Sequence, residues 1–95
     1  MSHGDLPLAF VLGYYHDGDD HGWPTEFADL RTRDALRIAS LTVDIAANGI
    51  REPILIGSDG RVWDGHHRLC VAHALQLATV PVEFARAGRA NGGAA

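Results

Sequence analysis

Two histidines and an arginine, His66, His67 and Arg68, directly follow an Asp-Gly pair where a strand is expected to give way to a helix. Cationic side chains are unfavourable at a helix N-terminus, because the positive pole of the macrodipole lies there. A bound anion reverses that penalty, since the free N–H groups of a first helical turn and a guanidinium both donate to phosphate oxygens. The residue types and their spacing therefore predict a phosphate site at residues 65–68.

The same side chains also admit a plainer interpretation. Histidines near helix starts are often exposed or serve as ordinary caps, and Arg68 could pair with Asp64 or Glu52. In the functional interpretation, Asp64 lies at the end of the strand, where its carboxylate would orient His67. Asp64 and His67 are therefore the candidate catalytic residues.

A second group of chemically competent residues lies in the segment HDGDDH, residues 16–21. Asp17, Asp19 and Asp20 contribute three carboxylates there, and Mg²⁺ prefers carboxylate and water oxygens. The segment is therefore a candidate Mg²⁺ site beside bound phosphates, or the source of a general base. The alternative is a solvated acidic loop.

A zinc site is a further alternative, because His66, Cys70 and His73 would share one face of a helix. Their spacing differs from that of the common zinc modules. The same residues fit equally an ordinary helix with side chains directed at the sheet or at solvent.

Aromatic residues flank the acidic segment. Tyr14, Tyr15 and Trp23 would stack on a nucleotide base or close over it, or would anchor the loop to the core. Trp63 is predicted to belong to the core.

The elements that must position these residues follow from hydrophobic periodicity and turn signals. The apolar run Leu6 to Leu12 is predicted to be a strand, and residues 13–30 a long loop with one helical turn near its end. A helix is predicted from an N-cap at Thr32 to the Asn48-Gly49 stop. Its apolar positions are Leu36, Ala39 and Val43, widened by Ile38, Leu41 and Ile45, and the width of this stripe predicts packing on a sheet.

The second half of the chain predicts a hairpin, a helix and a strand. Residues 53–57 and 61–64 form the hairpin about Ser58-Asp59-Gly60, a helix begins after Gly65, and residues 79–85 form the last strand. The fold class is α+β, a small mixed sheet with two main helices. Residues 1–85 form the domain, and residues 86–95 are predicted to be a flexible tail.

Composition limits the class of protein. Ninety-five residues correspond to one domain. A net charge of −4, with eight arginines and no lysine, argues against a nucleic-acid-coating function. The sequence contains no long uncharged apolar stretch and a single cysteine, Cys70. We therefore expect a cytoplasmic protein without a membrane span or an internal disulfide.

Residues 41–82 resemble the ParB/sulfiredoxin superfamily. The helix is followed by a Gly-Ile-x-x-Pro-Ile element at residues 49–54, a Gly-x-x-Arg signature at residues 65–68, and an LATVPV ending. The resemblance implies a ParB/sulfiredoxin-like fold that binds a nucleoside tri- or diphosphate, ATP, ADP or CTP. It places Gly65, His66, His67 and Arg68 on the phosphates and Glu52 at the rim. Mg²⁺ and a phosphotransfer or nucleotide-hydrolysis step are secondary expectations.

The sequence also departs from the family pattern. His66 stands where sulfiredoxin has its reactive cysteine, so sulfinic-acid repair is not expected. The DNA-binding domain that follows this region in ParB is not recognisable, and nucleic acid is an unexpected partner. The alternative function is a catalytically inactive protein-interaction module, for example a small phage or mobile-element protein that binds a host protein.

Overall fold

The structure, a computed structural model, describes residues 4–18 and 21–85. The predicted tail at residues 86–95 lies outside this range, as do Asp19 and Asp20. In the described ranges the strands are β1 (Gly4–Pro7), β2 (Ile54–Ile56), β3 (Val62–Asp64) and β4 (Thr79–Phe84). The helices are α1 (Leu8–Tyr14), α2 (Trp23–Arg33), α3 (Ala35–Asn48) and α4 (His66–Ala74).

The four strands form one mixed sheet in the order β1-β4-β2-β3. The β2–β3 hairpin is antiparallel, β2 and β4 run parallel, and β1 pairs antiparallel with β4. The apolar side chains Ile54, Ile56, Val62, Val80 and Val82 are almost completely buried. Burial of such side chains is the main favourable term in folding, so this sheet is the centre of the core. The α+β class, the hairpin, α4 and the last strand are confirmed.

The first apolar run is mostly helical, and the predicted strand from Leu6 to Leu12 is wrong. Only its first two residues belong to a strand, and α1 begins at Leu8. Leu8 and Val11 are buried and Leu12 is half-buried, which is the i, i+3, i+4 spacing of a helix face. A run of this length is compatible with either element, because periodicity alone does not separate a buried strand from a short helix.

The predicted loop at residues 13–30 contains most of a helix of three turns, α2. Pro24 lies in its first turn, a position that proline tolerates because its missing N–H has no helical partner. Trp23, Phe27 and Leu30 recur at helical spacing and are all buried. The chain therefore has four helices in its described part rather than the two main helices of the prediction.

The third helix differs from its prediction in its start and its packing. Thr32 is not an N-cap: it belongs to the last turn of α2, and its hydroxyl donates to the carbonyl of Ala28 at 3.0 Å. The helix ends at Gly49, as predicted, with φ 75°. It packs against α4 and α2 rather than on the sheet.

The apolar face of α3 divides into two stripes. Ile45 is buried, with Ile38 and Leu41 half-buried beside it, whereas Leu36 and Val43 are 88% and 72% exposed. The packed stripe consists of the residues that the prediction added to the edge of the apolar face. The residues that the prediction took as the centre of that face are exposed to solvent. In the described ranges, no helix is both long and apolar enough to cross a membrane.

Candidate functional site

The first turn of α4 borders a cleft of about 550 Å³. All six residues that the sequence assigns to phosphate binding or catalysis lie on its wall: Glu52, Asp64, Gly65, His66, His67 and Arg68. The remaining wall comes from α2, α3 and the connection between them, together with Trp63 of β3. The fold therefore brings the predicted residues together, and it adds others that the sequence did not indicate.

Gly65 occupies the N-cap of α4 in the left-handed region, with φ 115°. A Cβ built there would lie 2.8 Å from Cδ1 of Ile54 and 3.3 Å from its Cα. The glycine is therefore required for the turn and for packing against β2. Within the described ranges, no side chain caps the first turn of α4, so its amide donors remain available to a ligand.

Arg68 is engaged by the protein itself. Its Nη1 donates to the carbonyls of Glu52 at 2.8 Å and Pro53 at 2.7 Å, and its Nη2 lies 3.3 Å from Oδ2 of Asp64. The side chain is only 16% exposed. These contacts engage Nη1 fully within the protein, and binding of a phosphate by Arg68 stays a prediction. Arg68 fastens the segment before β2 to the start of α4.

His66 is held at both ring nitrogens. Nδ1 lies 2.7 Å from Oε2 of Glu26, and Nε2 donates to the carbonyl of Val62 at 3.0 Å. Glu26 is a carboxylate buried at the start of α2, and its contact with His66 supplies the partner that a buried charge requires. The ring of His66 also packs edge-on against Trp23. His66 is thus a structural residue on the wall of the cleft.

His67 is oriented by Asp34, not by Asp64 as predicted. Nε2 of His67 donates to Oδ2 of Asp34 at 2.9 Å, so Nδ1 is the ring nitrogen that is left to exchange a proton with a ligand or water. This hydrogen bond is the main reason that the pKa of Asp34 is lowered. Burial acts to raise that pKa, and the positive charges of His67, Arg33 and Arg37 lower it further. Asp64 is exposed and pairs with Arg68.

Two further arginines border the cleft from the junction of α2 and α3. Arg33 pairs with Asp29 on the surface of α2 at 3.0 Å. Arg37, exposed in the first turn of α3, makes no hydrogen bond or ion pair within residues 4–18 and 21–85. Most carboxylates of the cleft already have a partner in a histidine or in Arg68. Arg37 is therefore the cationic group most available to an anionic ligand.

The aromatic residues take positions different from those predicted. Trp63 is 42% exposed on the wall of the cleft and donates through Nε1 to Asp59 at 3.1 Å, so it is not a core residue. Trp23 is a core residue, and its indole donates to the carbonyl of Tyr15 at 3.0 Å. Tyr14, Tyr15 and Trp23 line a second cleft of about 620 Å³ that shares no lining residue with the first.

The acidic segment is only partly described, because Asp19 and Asp20 lie outside the described residues. Asp17 is buried, with 1% exposure, and one of its oxygens accepts from the backbone N–H of His21 at 3.2 Å. Ligand atoms of Asp17, His21 and Glu26 lie within 4.8 Å of one another. Asp17 therefore belongs to a side-chain cluster of its own, whose other described members differ from the predicted set.

The alternative zinc set does not assemble. Nδ1 of His66 is occupied by Glu26, and Cys70 is buried with its thiol directed at the carbonyl of Phe27. Burial is the main reason that the pKa of the Cys70 thiol is raised. The guanidinium of Arg31, whose Nη1 lies 3.7 Å from the sulfur, acts to lower that pKa. A thiol of this kind is a poor ligand and a poor nucleophile.

Sequence reasoning missed Glu26, Asp34 and Arg37. Glu26 lies on α2, Asp34 between α2 and α3, and Arg37 on α3, and the position of these parts relative to α4 depends on the tertiary fold. Glu26 also lies in a segment that was interpreted as a loop. One available signal was the helical spacing of Trp23, Phe27 and Leu30, which would have placed Glu26 on a helix.

Comparison with known proteins yields no match to a family model, to a curated protein or to a solved structure.

Proposed function

We propose that this protein binds a nucleoside di- or triphosphate, with ATP, ADP and CTP as the first candidates, in the cleft at the start of α4. The observation that carries the proposal is the uncapped first turn of α4 in a cleft that Arg37 also lines, with no hydrogen bond or ion pair of the Arg37 guanidinium in the described ranges. The amides of a first helical turn and a nearby guanidinium are complementary to phosphate oxygens in both charge and geometry. The resemblance of residues 41–82 to ParB/sulfiredoxin domains supports the same ligand.

Residue roles in this proposal follow from their contacts. The backbone of residues 65–68 and the side chain of Arg37 bind phosphate. Arg68 is a positioning residue, because it ties the carbonyls of Glu52 and Pro53 to α4. Glu52 has a side chain that is 82% exposed and lies at the rim, with its Oε1 4.0 Å from Nη2 of Arg68.

The contact between His67 and Asp34 favours a reaction in the same cleft, either phosphotransfer or nucleotide hydrolysis. With Nε2–H directed at Asp34, Nδ1 of His67 is available to accept a proton from water or a substrate hydroxyl. Mg²⁺ would accompany the nucleotide phosphates, as it does in many phosphoryl-transfer sites. His67→Gln is expected to remove hydrolysis or transfer while nucleotide binding persists.

Thermal denaturation with ATP, ADP, CTP and GTP, each with and without Mg²⁺, tests the binding proposal. A ligand at 100 times its dissociation constant adds about 2.7 kcal/mol of stability. We expect at least one nucleotide to raise Tm, and Arg37→Ala to reduce that rise. Arg51→Ala is the matched control, because Arg51 pairs with Asp44 outside the cleft. Nucleotides that leave Tm of the unmodified chain unchanged would refute the proposal.

A protein-interaction module is the second candidate function, and the exposed stripe of α3 favours it. Leu36 and Val43 lie two turns apart on one helix face and are largely exposed. A second copy of the chain would cover this stripe in an antiparallel α3–α3 contact, with Leu36 of each copy opposite Val43 of the other. Sedimentation velocity should then show a concentration-dependent dimer that Val43→Glu abolishes. A monomer at every concentration would refute the α3–α3 contact.

A further inference from the structure

We infer that Asp17, His21 and Glu26 form a binding site for one divalent transition-metal ion. The two carboxylates come from different parts of the chain, Asp17 from the segment between α1 and α2 and Glu26 from the first turn of α2. One ligand atom from each of the three residues lies within 4.8 Å of the other two. Two atoms that each bind one ion at about 2.0–2.2 Å are at most about 4.4 Å apart, so the three need only a small approach.

The unsatisfied oxygen of Asp17 is the independent observation that points to a ligand. Asp17 is 1% exposed, and its Oδ2 is buried without a hydrogen-bond partner in the described ranges. Leaving a buried charged acceptor unpaired is costly, and no cationic side chain within residues 4–18 and 21–85 forms an ion pair with this carboxylate. A cation at the cluster supplies the missing partner.

The surrounding structure holds the ligands in place before an ion arrives. The backbone N–H of His21 donates to Oδ1 of Asp17, which joins two of the ligating residues directly. His66 contacts Oε2 of Glu26 and leaves its other oxygen for an ion, an arrangement typical of the groups that support metal ligands. The guanidinium of Arg61 donates to the carbonyl of Gly18 at 3.1 Å and fastens the loop that carries Asp17.

The donor set indicates the class of metal. Mg²⁺ and Ca²⁺ prefer sites made entirely of oxygen, whereas imidazole suits first-row transition metals and Zn²⁺. One imidazole with two carboxylates therefore favours Mn²⁺ or Zn²⁺ over the Mg²⁺ that the sequence predicted for this segment. His21 is exposed, so the site is open to solvent on that side. The inference does not depend on the nucleotide proposal, although Glu26 also lines the α4 cleft.

Titration of the tag-free, chelator-treated chain with Mn²⁺, without nucleotide, tests the site. Electron paramagnetic resonance of free Mn²⁺ should show loss of one equivalent of signal per chain, and Zn²⁺ should compete for the same site. Asp17→Asn and Glu26→Gln are each expected to weaken Mn²⁺ binding at least tenfold. Asp5→Asn and Glu83→Gln are the matched controls and should bind like the unmodified chain, because these residues lie on β1 and β4.

Thermal denaturation with and without metal separates a loss of metal binding from a change in the fold of a variant. Without metal, Asp17→Asn should be at least as stable as the unmodified chain, because it removes a buried carboxylate whose Oδ2 has no hydrogen-bond partner in the described ranges. With Mn²⁺ in excess, the unmodified chain should gain Tm and the variant should not. The inference is overturned if Mn²⁺ and Zn²⁺ do not bind, if both variants bind Mn²⁺ unchanged, or if Mg²⁺ binds as tightly as Mn²⁺.

Discussion

Both histidines at the start of α4 take partners that lie far away in sequence. His66 contacts Glu26, forty residues earlier, and His67 contacts Asp34, thirty-three residues earlier. The local pattern identified the histidines because they follow a glycine at a strand–helix junction. It could not identify their partners, because that requires the positions of α2 and α3 relative to α4. It also assigned Arg68 to a ligand, although the nearest acceptors are backbone carbonyls.

Replacement of Arg68 distinguishes its structural role from a ligand-binding one. Arg68→Ala removes the donors to the carbonyls of Glu52 and Pro53, and a hydrogen bond that involves a charged group contributes about 1.5–3 kcal/mol. We expect the free energy of unfolding in urea to fall by at least about 2 kcal/mol. Arg51→Ala, which breaks an exposed ion pair, should cost less than about 1 kcal/mol. Equal losses of unfolding free energy in the two variants would contradict the conclusion that Arg68 fastens the segment before β2 to α4.

Acid unfolding tests the contact between Asp34 and His67. The lowered pKa of Asp34 in the folded state means that its carboxylate stabilises the fold above the unfolded-state pKa, about 3.9. That stabilisation is lost as pH falls through the folded-state pKa. Asp34→Asn should therefore flatten the dependence of the urea midpoint on pH below about pH 5. Asp5→Asn is the control, and identical curves for Asp34→Asn and the unmodified chain would show that the contact contributes nothing.

At the scale of elements, the accuracy of prediction follows the strength of local signals. The hairpin at Ser58-Asp59-Gly60 and the Gly49 helix end are fixed by turn chemistry within a few residues. α1 was misassigned because a seven-residue apolar run fits either a strand or a helix. α2 was missed because the Gly- and Asp-rich segment before it resembles a long loop. Of the two stripes on α3, only the tertiary packing decides which is buried.

The junction between β3 and α4 depends on Gly65. Gly65→Ala places a Cβ 2.8 Å from Cδ1 of Ile54 at a left-handed φ, which alone costs roughly 1–2 kcal/mol. We expect a decrease in the free energy of unfolding larger than that figure. Gly13→Ala is the matched control, because Gly13 is helical with open space around it, and it should gain roughly 0.5–1 kcal/mol. Changes of the same sign in both variants would contradict this account of the junction.

At the scale of the whole molecule, the fold places the start of α4 and the α2–α3 junction on the wall of one cleft. The parallel pairing of β2 and β4 requires a crossover, and β3 with α4 provides it. The α+β class followed from the order of elements in the sequence. The α4 cleft did not, because it is lined by elements separated along the chain, and the second cleft did not, because α2 was interpreted as a loop. Glu26 lines the α4 cleft, whereas Asp17 and His21 line the other, so the proposed metal site lies between them.

The central claim, that the first turn of α4 and Arg37 bind phosphate, is tested most directly by amide chemical shifts. In a ¹H–¹⁵N titration with ATP or CTP, the account predicts that the largest saturable shifts belong to the backbone amides of His66, His67 and Arg68. Arg37→Ala should weaken the response and Arg51→Ala should preserve it. Saturable shifts confined to other parts of the chain, or no shifts at millimolar nucleotide, would contradict the account.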